Sequence, residues 1–163
     1  MTDNARYWID RLGLIAHPEG GYFRETYRAP GGVALPGRYG GPRSFSTAIY
    51  FLLERGQVSK LHRIASDEVW HLYTGGPAVV HVLTPDGQRH DLALGLDFDA
   101  GQRPQAMVGA GNWFGASLAD GVEFALFGCT VAPGFEFEDF EMAKRDSLIK
   151  RFPEHAAFIT GMT

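Results

Sequence analysis

Cysteine is almost absent from this sequence: Cys129 is the only one, so a disulfide within the chain is excluded. No apolar run approaches the roughly 18 residues of a membrane-spanning helix. The formal net charge is −4, and the positive face that nucleic-acid binding requires is missing. These absences predict a cytoplasmic protein whose partners include neither nucleic acid nor a membrane.

Glycine and aromatic residues, by contrast, are abundant. The 163 residues include 21 Gly, 12 Phe and 6 Tyr, which favours many short strands joined by tight turns. Apolar residues at helical spacing occur in two terminal segments, 4–15 and 137–152, and either Asp3 or Asn4 could cap the first. The length suits one domain, so we expect residues 1–163 to form a single domain.

Between these helices the sequence indicates successive strands separated by Gly and Pro. The Gly- and Pro-rich segment 29–43 predicts a long loop, of a kind that often forms a lid or rim. Regular turn signals, without alternation of strands and helices, predict a mainly all-β fold, a double-stranded β-helix or jelly-roll barrel. The predicted strands cover residues 44–53, 58–64, 68–74, 78–84, 104–108, 113–118 and 122–131.

An extended segment near the N-terminus, YFRETYR at residues 22–28, carries a candidate anion site. Strict alternation would place Tyr22, Arg24 and Arg28 on one face of a strand. A guanidinium at the mouth of a barrel can hold a carboxylate or phosphate through two hydrogen bonds. We expect Tyr22 and Arg24 either to bind ligand or to lie on a solvated edge, and Arg28 to form a surface salt bridge with Glu25 or a neighbour.

The segment LHRIASDEVWHLYTGG, residues 61–76, resembles the first motif of the cupin superfamily, in which Gly, His-x-His, Glu and Gly follow in order. His62, Glu68 and Gly75 match the first His, the Glu and the final Gly of that motif. Ile64 stands where the second His belongs. The resemblance therefore implies a cupin pocket whose metal-ligand set is incomplete.

Most of the chain is similar to one branch of that superfamily, which is best known through structures. The resemblance implies a double-stranded β-helix, a single cupin domain, a small-molecule pocket inside each barrel and a homodimer. The branch is similar in shape to dTDP-sugar epimerases. The segments that carry the resemblance are 17–28, 46–53, 59–77, 111–118 and 129–141.

The second cupin motif is also altered, which bears on the expected cofactor. Gly111 keeps its turn, but Phe114 falls at the usual histidine position. The typical set of three His and one Glu is thus reduced to His62 and Glu68, and His71 is turned to the opposite face by strand alternation. A transition metal needs at least three protein ligands, so we expect no metal cofactor; any divalent metal would use His62 and Glu68.

Without a metal, His62 and Glu68 could act as a dyad for proton abstraction, with the carboxylate orienting the imidazole. A tyrosine across the pocket would supply the acid, and Tyr50 and Tyr22 are both candidates. The same His–Glu pair could instead be a structural hydrogen bond inside the barrel. Its position in the cupin motif favours a functional role.

Aromatic residues supply the candidate walls of the pocket. Trp70, Trp113 and Phe114 are expected to bind ligand, because flat apolar surfaces suit sugars and other rings. Cys129 is expected to be a buried, inert thiol.

Three functions remain open at this point. They are a metal-independent isomerase or epimerase acting on a sugar or nucleotide-sugar-like ligand, a metal-dependent cupin enzyme such as a dioxygenase or isomerase, and a non-catalytic metabolite-binding protein.

Overall fold

The computed structural model describes residues 4–163, in which strands predominate. The predicted mainly β jelly roll with short terminal helices is confirmed. The strands are β1 (Ile15–Ala16), β2 (Tyr22–Arg28), β3 (Gly32–Val33), β4 (Arg43–Ser44), β5 (Thr47–Glu54), β6 (Val58–Arg63), β7 (Asp67–Gly75), β8 (Ala78–Leu83), β9 (Arg89–Leu94), β10 (Gln105–Val108), β11 (Trp113–Leu118), β12 (Phe124–Ala132) and β13 (Glu141–Met142).

Two antiparallel sheets form the barrel. The six-stranded sheet has the order β1-β2-β5-β12-β7-β10, and the five-stranded sheet has the order β13-β6-β11-β8-β9. Buried side chains from both sheets share one apolar core, which includes Phe51, Trp70, Val80, Phe114 and Phe127. Inward-facing residues of the six-stranded sheet therefore share the interior with those of the five-stranded sheet.

The N-terminal helix α1 (Ala5–Leu12) follows its capping signals. The Asn4 side chain accepts a hydrogen bond from the backbone N–H of Tyr7, and Gly13 ends the helix in the left-handed conformation. The alternative cap, Asp3, lies outside the described residues. Ile9 of α1 packs with Leu52 and Leu126 on the outer face of the six-stranded sheet, so α1 covers one end of that face.

The short helix predicted within 137–152 is present, and it occupies the second half of that segment. Phe137–Asp139 forms a 3₁₀ turn, β13 follows as an edge strand beside β6, and only α2 (Arg145–Arg151) is α-helical. The pairing with β6 satisfies backbone groups that a helix would have satisfied internally. A further helix, α3 (Ala156–Gly161), was not predicted.

The Gly- and Pro-rich segment 29–43 contains the short hairpin of β3 and β4. The guanidinium of Arg43 is buried at its end and forms two hydrogen bonds of 2.6 and 2.7 Å with the Asp139 carboxylate. The hairpin is thereby fastened to the 3₁₀ turn at residues 137–139. Among the helices of residues 4–163, none is long and apolar enough to cross a membrane.

Candidate functional site

A cavity of about 80 Å³ lies inside the barrel and opens at one end. Its closed end carries titratable side chains, and its walls are aromatic and aliphatic. Half-exposed charged residues of β2 and of the segment after β12 stand at its mouth. The lining residues are His17, Glu19, Phe23, Glu25, Arg28, Ile49, Phe51, His62, Ile64, Glu68, Cys129, Val131, Phe135, Glu136, Phe137 and Phe140.

Strand register explains why Glu68 faces this cavity. In the antiparallel pair of β7 and β12, Glu68 lies opposite Val131, and Trp70 lies opposite Cys129. Directly opposed residues point to the same face of a sheet, so all four side chains point inward. The thiol of Cys129, expected only to be buried, therefore lines the cavity beside Glu68.

The turn before β2 adds two residues, His17 and Glu19. Gly20 follows with φ at 107°, and a Cβ there would lie 2.3 Å from the carbonyl oxygen of Val58, so only glycine permits this close approach to β6. The backbone carbonyl of Glu19 accepts a hydrogen bond of 2.8 Å from the Lys60 N–H. The Glu19 side chain is thus held against β6, which carries His62.

His62 and Glu19 share one proton in a hydrogen bond between their side chains. The Nδ1 atom of His62 lies 2.7 Å from the Lys60 carbonyl oxygen, which can only accept, so Nδ1 carries a hydrogen. The Nε2 atom of His62 lies 3.1 Å from Oε2 of Glu19. A neutral imidazole and an ionised carboxylate would oppose two lone pairs there, so one proton must lie between these atoms. Ser59 donates a hydrogen bond of 2.8 Å to Oε1, the other oxygen of Glu19.

Burial determines which of the two groups holds the proton. Burial lowers the pKa of His62 to about 3, and it raises the pKa of the Glu19 carboxyl well above its usual range. The nearby Glu68 carboxylate raises the pKa of Glu19 further. At neutral pH Glu19 is therefore a carboxylic acid that donates to a neutral imidazole. Burial likewise lowers the pKa of His17 to about 4, so His17 is neutral too.

The Glu68 carboxyl, at 7% exposure, lies in the same apolar surroundings. Burial raises its pKa to about 7, and the nearby Cys129 thiol and Trp70 indole oppose that rise in part. The Trp70 indole nitrogen nevertheless makes no hydrogen bond of standard geometry. Near neutral pH Glu68 thus interconverts between its acid and its carboxylate, as a general base or acid must.

Strand β2 turns toward the cavity the face opposite to the one on which Tyr22 and Arg24 lie. Phe23 and Glu25 lie opposite Phe51 and Ile49 of β5 and point inward with them. A register shift between Glu25 and Tyr27 then returns Arg28 to this inner face, opposite Thr47. Arg28 therefore stands at the cavity mouth, where it bonds Glu25 as predicted and also contacts Glu136.

The expected cavity positions of Tyr22, Arg24 and Tyr50 are wrong. Tyr22 and Tyr50 pack near α1 on the outer face of the six-stranded sheet. Arg24 donates a hydrogen bond of 3.0 Å to the carbonyl oxygen of Leu12, at the end of α1. All three belong to the face opposite that of Phe23 and Glu25, so none of them can reach a ligand in the barrel.

The three predicted aromatic wall residues occupy different places. Trp70 points inward but is packed beneath the wall against Phe51 and Phe127, at 5.5 and 5.3 Å between ring centroids. Phe114 supports His62, with 4.1 Å between ring centroids, and is itself buried. Trp113 lies in a separate cluster under the C-terminal helices, where the Arg63 guanidinium covers its ring. None of the three lines the cavity.

His62 and Glu68 do share the cavity, as predicted, but their expected mutual hydrogen bond is replaced by the pairing of His62 with Glu19. Sequence reasoning missed the roles of His17 and Glu19. Their signal was a His and a Glu two residues apart in a Pro–Gly turn that leads directly into an extended strand. Such a turn reads as a surface feature until its packing against β6 is known.

The donor set does not fit the metal centre of a typical cupin. Ile64 lines the cavity where the second His would stand, and the Phe114 ring packs against His62 where the last His would stand. Within residues 4–163, no three His, Cys, Asp or Glu side chains are arranged to hold a metal ion. A metal-dependent reaction therefore has no support from the residues present.

Comparison with known proteins identifies similar chains. Residues 6–143 match the sequence model of a family described as "Cupin superfamily (DUF985)". The chain is also 32% identical over 163 residues to "Uncharacterized protein YML079W" of Saccharomyces cerevisiae, covering 91% of this chain and 81% of the yeast protein.

Solved structures extend the comparison. A hypothetical protein from Leishmania major has a TM-score of 0.92 and 35% identity, with 99% of each chain covered. Protein SO0799 from Shewanella oneidensis has a TM-score of 0.90 and 36% identity, with 99% of this chain and 98% of that chain covered. An oxalate decarboxylase from Bacillus subtilis has a TM-score of 0.56 at 13% identity over 91% of this chain and 37% of its own, a similarity of fold alone.

Proposed function

Because this chain belongs to the cupin superfamily, in the family described as DUF985, we propose that its barrel binds a small sugar-like carbonyl compound and moves a proton beside the carbonyl group. Such an isomerase or epimerase needs no metal when protein groups supply both base and acid. The observation that carries the proposal is the meeting of Glu68, Glu19 and His62 among the aromatic and aliphatic walls of the cavity.

Glu68 is the proposed base. Its carboxylate takes a proton from the carbon next to the carbonyl. The electron pair of the broken C–H bond forms the C=C bond of an enol, and the π pair of the carbonyl group moves to its oxygen. The pKa of Glu68, at about 7, gives a population of carboxylate at neutral pH together with a basicity above that of an exposed Glu.

The Glu19–His62 pair is the proposed acid, in place of the tyrosine that the sequence suggested. The proton between Oε2 of Glu19 and Nε2 of His62 is available to the carbonyl oxygen as negative charge develops there. Return of a proton to the opposite face of the same carbon, while the enol O–H gives its proton back to the Glu19–His62 pair, gives an epimer. Return to the neighbouring carbon, while the hydroxyl on the first carbon gives its proton to that pair and becomes the new carbonyl, gives an isomer. Neither outcome requires an oxidant, a reductant or a second substrate.

The cavity volume restricts the ligand. At about 80 Å³, it is smaller than the roughly 300 Å³ at which pockets for drug-sized ligands begin. A whole nucleotide sugar does not fit inside, so the reacting carbonyl end enters and any larger group stays outside the mouth. Short-chain sugars are therefore the first compounds to test.

Exchange of carbon-bound hydrogen for deuterium tests the proposal directly. The protein is incubated in D₂O with dihydroxyacetone, glyceraldehyde, and pentoses and hexoses, and loss of the α-proton signal is followed by NMR. We expect exchange with at least one short-chain sugar, and a loss of about 100-fold or more in Glu68→Gln, because amide cannot accept the proton.

The matched control is Glu123→Gln, at an exposed carboxylate paired with Arg55 far from the cavity. Its exchange rate should equal that of the wild type. If none of the sugars exchanges its α-proton, although at least one of them binds and shifts the NMR resonances of the protein, the non-catalytic binding protein is favoured over the isomerase.

We further propose a cytoplasmic homodimer formed through the outer face of the six-stranded sheet. Large apolar side chains stand exposed there on three strands: Tyr27 on β2, Tyr73 on β7 and Met107 on β10. A second copy would cover these side chains. Sedimentation should give a dimer for the wild type and a monomer for a Tyr73→Lys, Met107→Lys double variant.

A further inference from the structure

We propose that the ligand of this cavity carries a positive charge outside its reacting end, held at the mouth by Glu136 and Phe137. This inference concerns the same site as the proposed function and rests on it. It replaces the anion-binding role that the sequence suggested for an arginine of β2.

Arg28, the arginine at the mouth, already uses most of its hydrogen-bond donors within the protein. Nε and Nη2 of Arg28 donate to the two carboxylate oxygens of Glu25 at 3.0 and 2.8 Å, and Nη1 donates to Oε1 of Glu136 at 2.6 Å. Nη2 also donates to the carbonyl oxygen of Phe135 at 3.0 Å. Four of the five N–H donors that a guanidinium possesses are therefore engaged, and Arg28 cannot grip an anion by two points.

Glu25 and Glu136 together carry two negative charges and Arg28 carries one positive charge, so the mouth has a net charge of one negative unit. The side chains of Glu25, Arg28 and Glu136 are all about 40% exposed, and this charge therefore faces the entering ligand. A cation approaching the mouth is attracted and an anion is repelled. Both effects weaken as the salt concentration rises, because dissolved ions screen the charge.

The closed end of the cavity offers an anion no positively charged partner either. His17 and His62 are neutral, and among the described lining residues Arg28 is the only permanent cation. Glu68 is a buried carboxyl directed into the cavity, and no side chain of residues 4–163 forms a salt bridge with it. An anionic ligand would lose its hydration and face carboxyl groups at both ends.

Aromatic rings complete the recognition of a cation. Phe137 is 54% exposed at the mouth, next to Glu136 in the chain, and its ring centroid lies 5.0 Å from that of Phe135. Ring faces attract cations, and an ammonium between a carboxylate and a phenyl ring gains from both. The reacting carbonyl would then lie deeper, near Glu68, leaving that base free of the ammonium.

Three small ketones test the charge preference by NMR titration at low salt. Aminoacetone is cationic, butan-2-one has the same shape without charge, and pyruvate is anionic. We expect aminoacetone to bind about three- to fivefold more tightly than butan-2-one, as for a half-exposed ion pair, and pyruvate to bind most weakly. The preference should shrink as salt is added.

Variants at the mouth then change the preference in a predicted direction. Glu136→Gln makes the mouth neutral and should bring aminoacetone and butan-2-one within about twofold of each other. The Glu25→Gln, Glu136→Gln double variant leaves Arg28 unpaired and should bind pyruvate best. The matched control is Glu138→Gln, which removes an exposed carboxylate paired with Arg43 outside the cavity and should leave the preference unchanged.

The outcomes separate this inference from the proposed function. Equal binding of all three ketones, or a preference that Glu138→Gln alters as much as Glu136→Gln, overturns the charge assignment and leaves the proton chemistry standing. Failure of every ketone to bind overturns the charge assignment, and absence of deuterium exchange with the sugars as well overturns the proposed function. Exchange of neutral sugars that is undiminished in Glu138→Gln, alongside a cation preference that only Glu136→Gln abolishes, supports both.

Discussion

The two faces of the six-stranded sheet differ sharply, although neighbouring residues of the same strands form them. The inner face of β2 and β5 presents Phe23, Glu25 and Phe51 to the cavity. The outer face of the same strands presents Arg24 and Tyr50 to α1 and its surroundings. Adjacent residues of one strand therefore have different roles: one can contact a ligand, and the next, on the opposite face, only stabilises the barrel.

The inner face also changes the chemistry of its residues. Glu68 and Glu19 have raised pKa values because they are buried, whereas carboxylates of the outer surface, such as Glu123, are exposed and paired with arginine. The difference between the faces is thus one of solvation as well as direction. Substitutions matched across the sheet can measure it.

The largest expected effect is on stability. Phe51 is fully buried in the core, so Phe51→Ala should lower the free energy of unfolding by about 3–5 kcal/mol. Arg24→Ala, on the other face, removes one exposed hydrogen bond and should cost about 1 kcal/mol or less. Urea denaturation of both variants checks this, and similar losses would show that the two faces do not differ as described.

The pH dependence of stability tests the solvation of Glu68. Its pKa in the folded protein is about 7, raised from 4.5, so its stabilising contribution is fully present below pH 4.5 and is lost as the pH rises through 7. Glu68→Gln keeps the shape of the protonated form at every pH. The wild type should therefore lose up to about 3 kcal/mol relative to the variant between pH 4.5 and 8.

His17 and His62 act in the opposite sense, because their lowered pKa values destabilise the fold as the pH falls below 6.5. That contribution is common to the wild type and Glu68→Gln, so it cancels in the difference between them. A difference that stays flat from pH 5 to 8 would mean that Glu68 is solvated and not part of a buried site.

The assignment of the acid is tested by a pair of substitutions on opposite faces. Glu19→Gln should lower the deuterium-exchange rate by about 100-fold, because its amide cannot supply the proton shared with His62. Tyr50→Phe should leave the rate within about twofold, since this side chain lies outside the barrel. The reverse result would restore the tyrosine as the acid.

The smallest expected effect concerns metals. Fe²⁺, Mn²⁺ or Zn²⁺ added to protein purified without an affinity tag should shift the melting temperature by about 1 °C or less, because two of the four cupin ligand positions hold Ile64 and Phe114. Elemental analysis should find metal at fewer than about one-tenth of the sites. A rise of several degrees with one metal would return the metal-dependent enzyme to consideration.

The fold and half of the proposed chemistry could be predicted from local patterns. Turn signals and apolar strands indicate the antiparallel barrel, and the cupin motif places His62 and Glu68 on adjacent segments of it. Strict alternation correctly placed Arg24 on the same face of β2 as Tyr22, but that face is the outer one, and Arg28 lies on the other. The face of that strand depends on how it pairs with β5, and the register shift after Glu25 leaves no mark in composition.

The amino-acid sequence is enough to predict the barrel, since strand length, turn chemistry and apolar patterning act over a few residues at a time. It also determined that the usual metal ligands are missing. The meeting of Glu19 with His62, and the addition of Glu136 to the predicted Arg28–Glu25 pair, followed only from the folded structure. These contacts join residues far apart in the chain, and their protonation depends on burial that exists only once the sheets have closed around them.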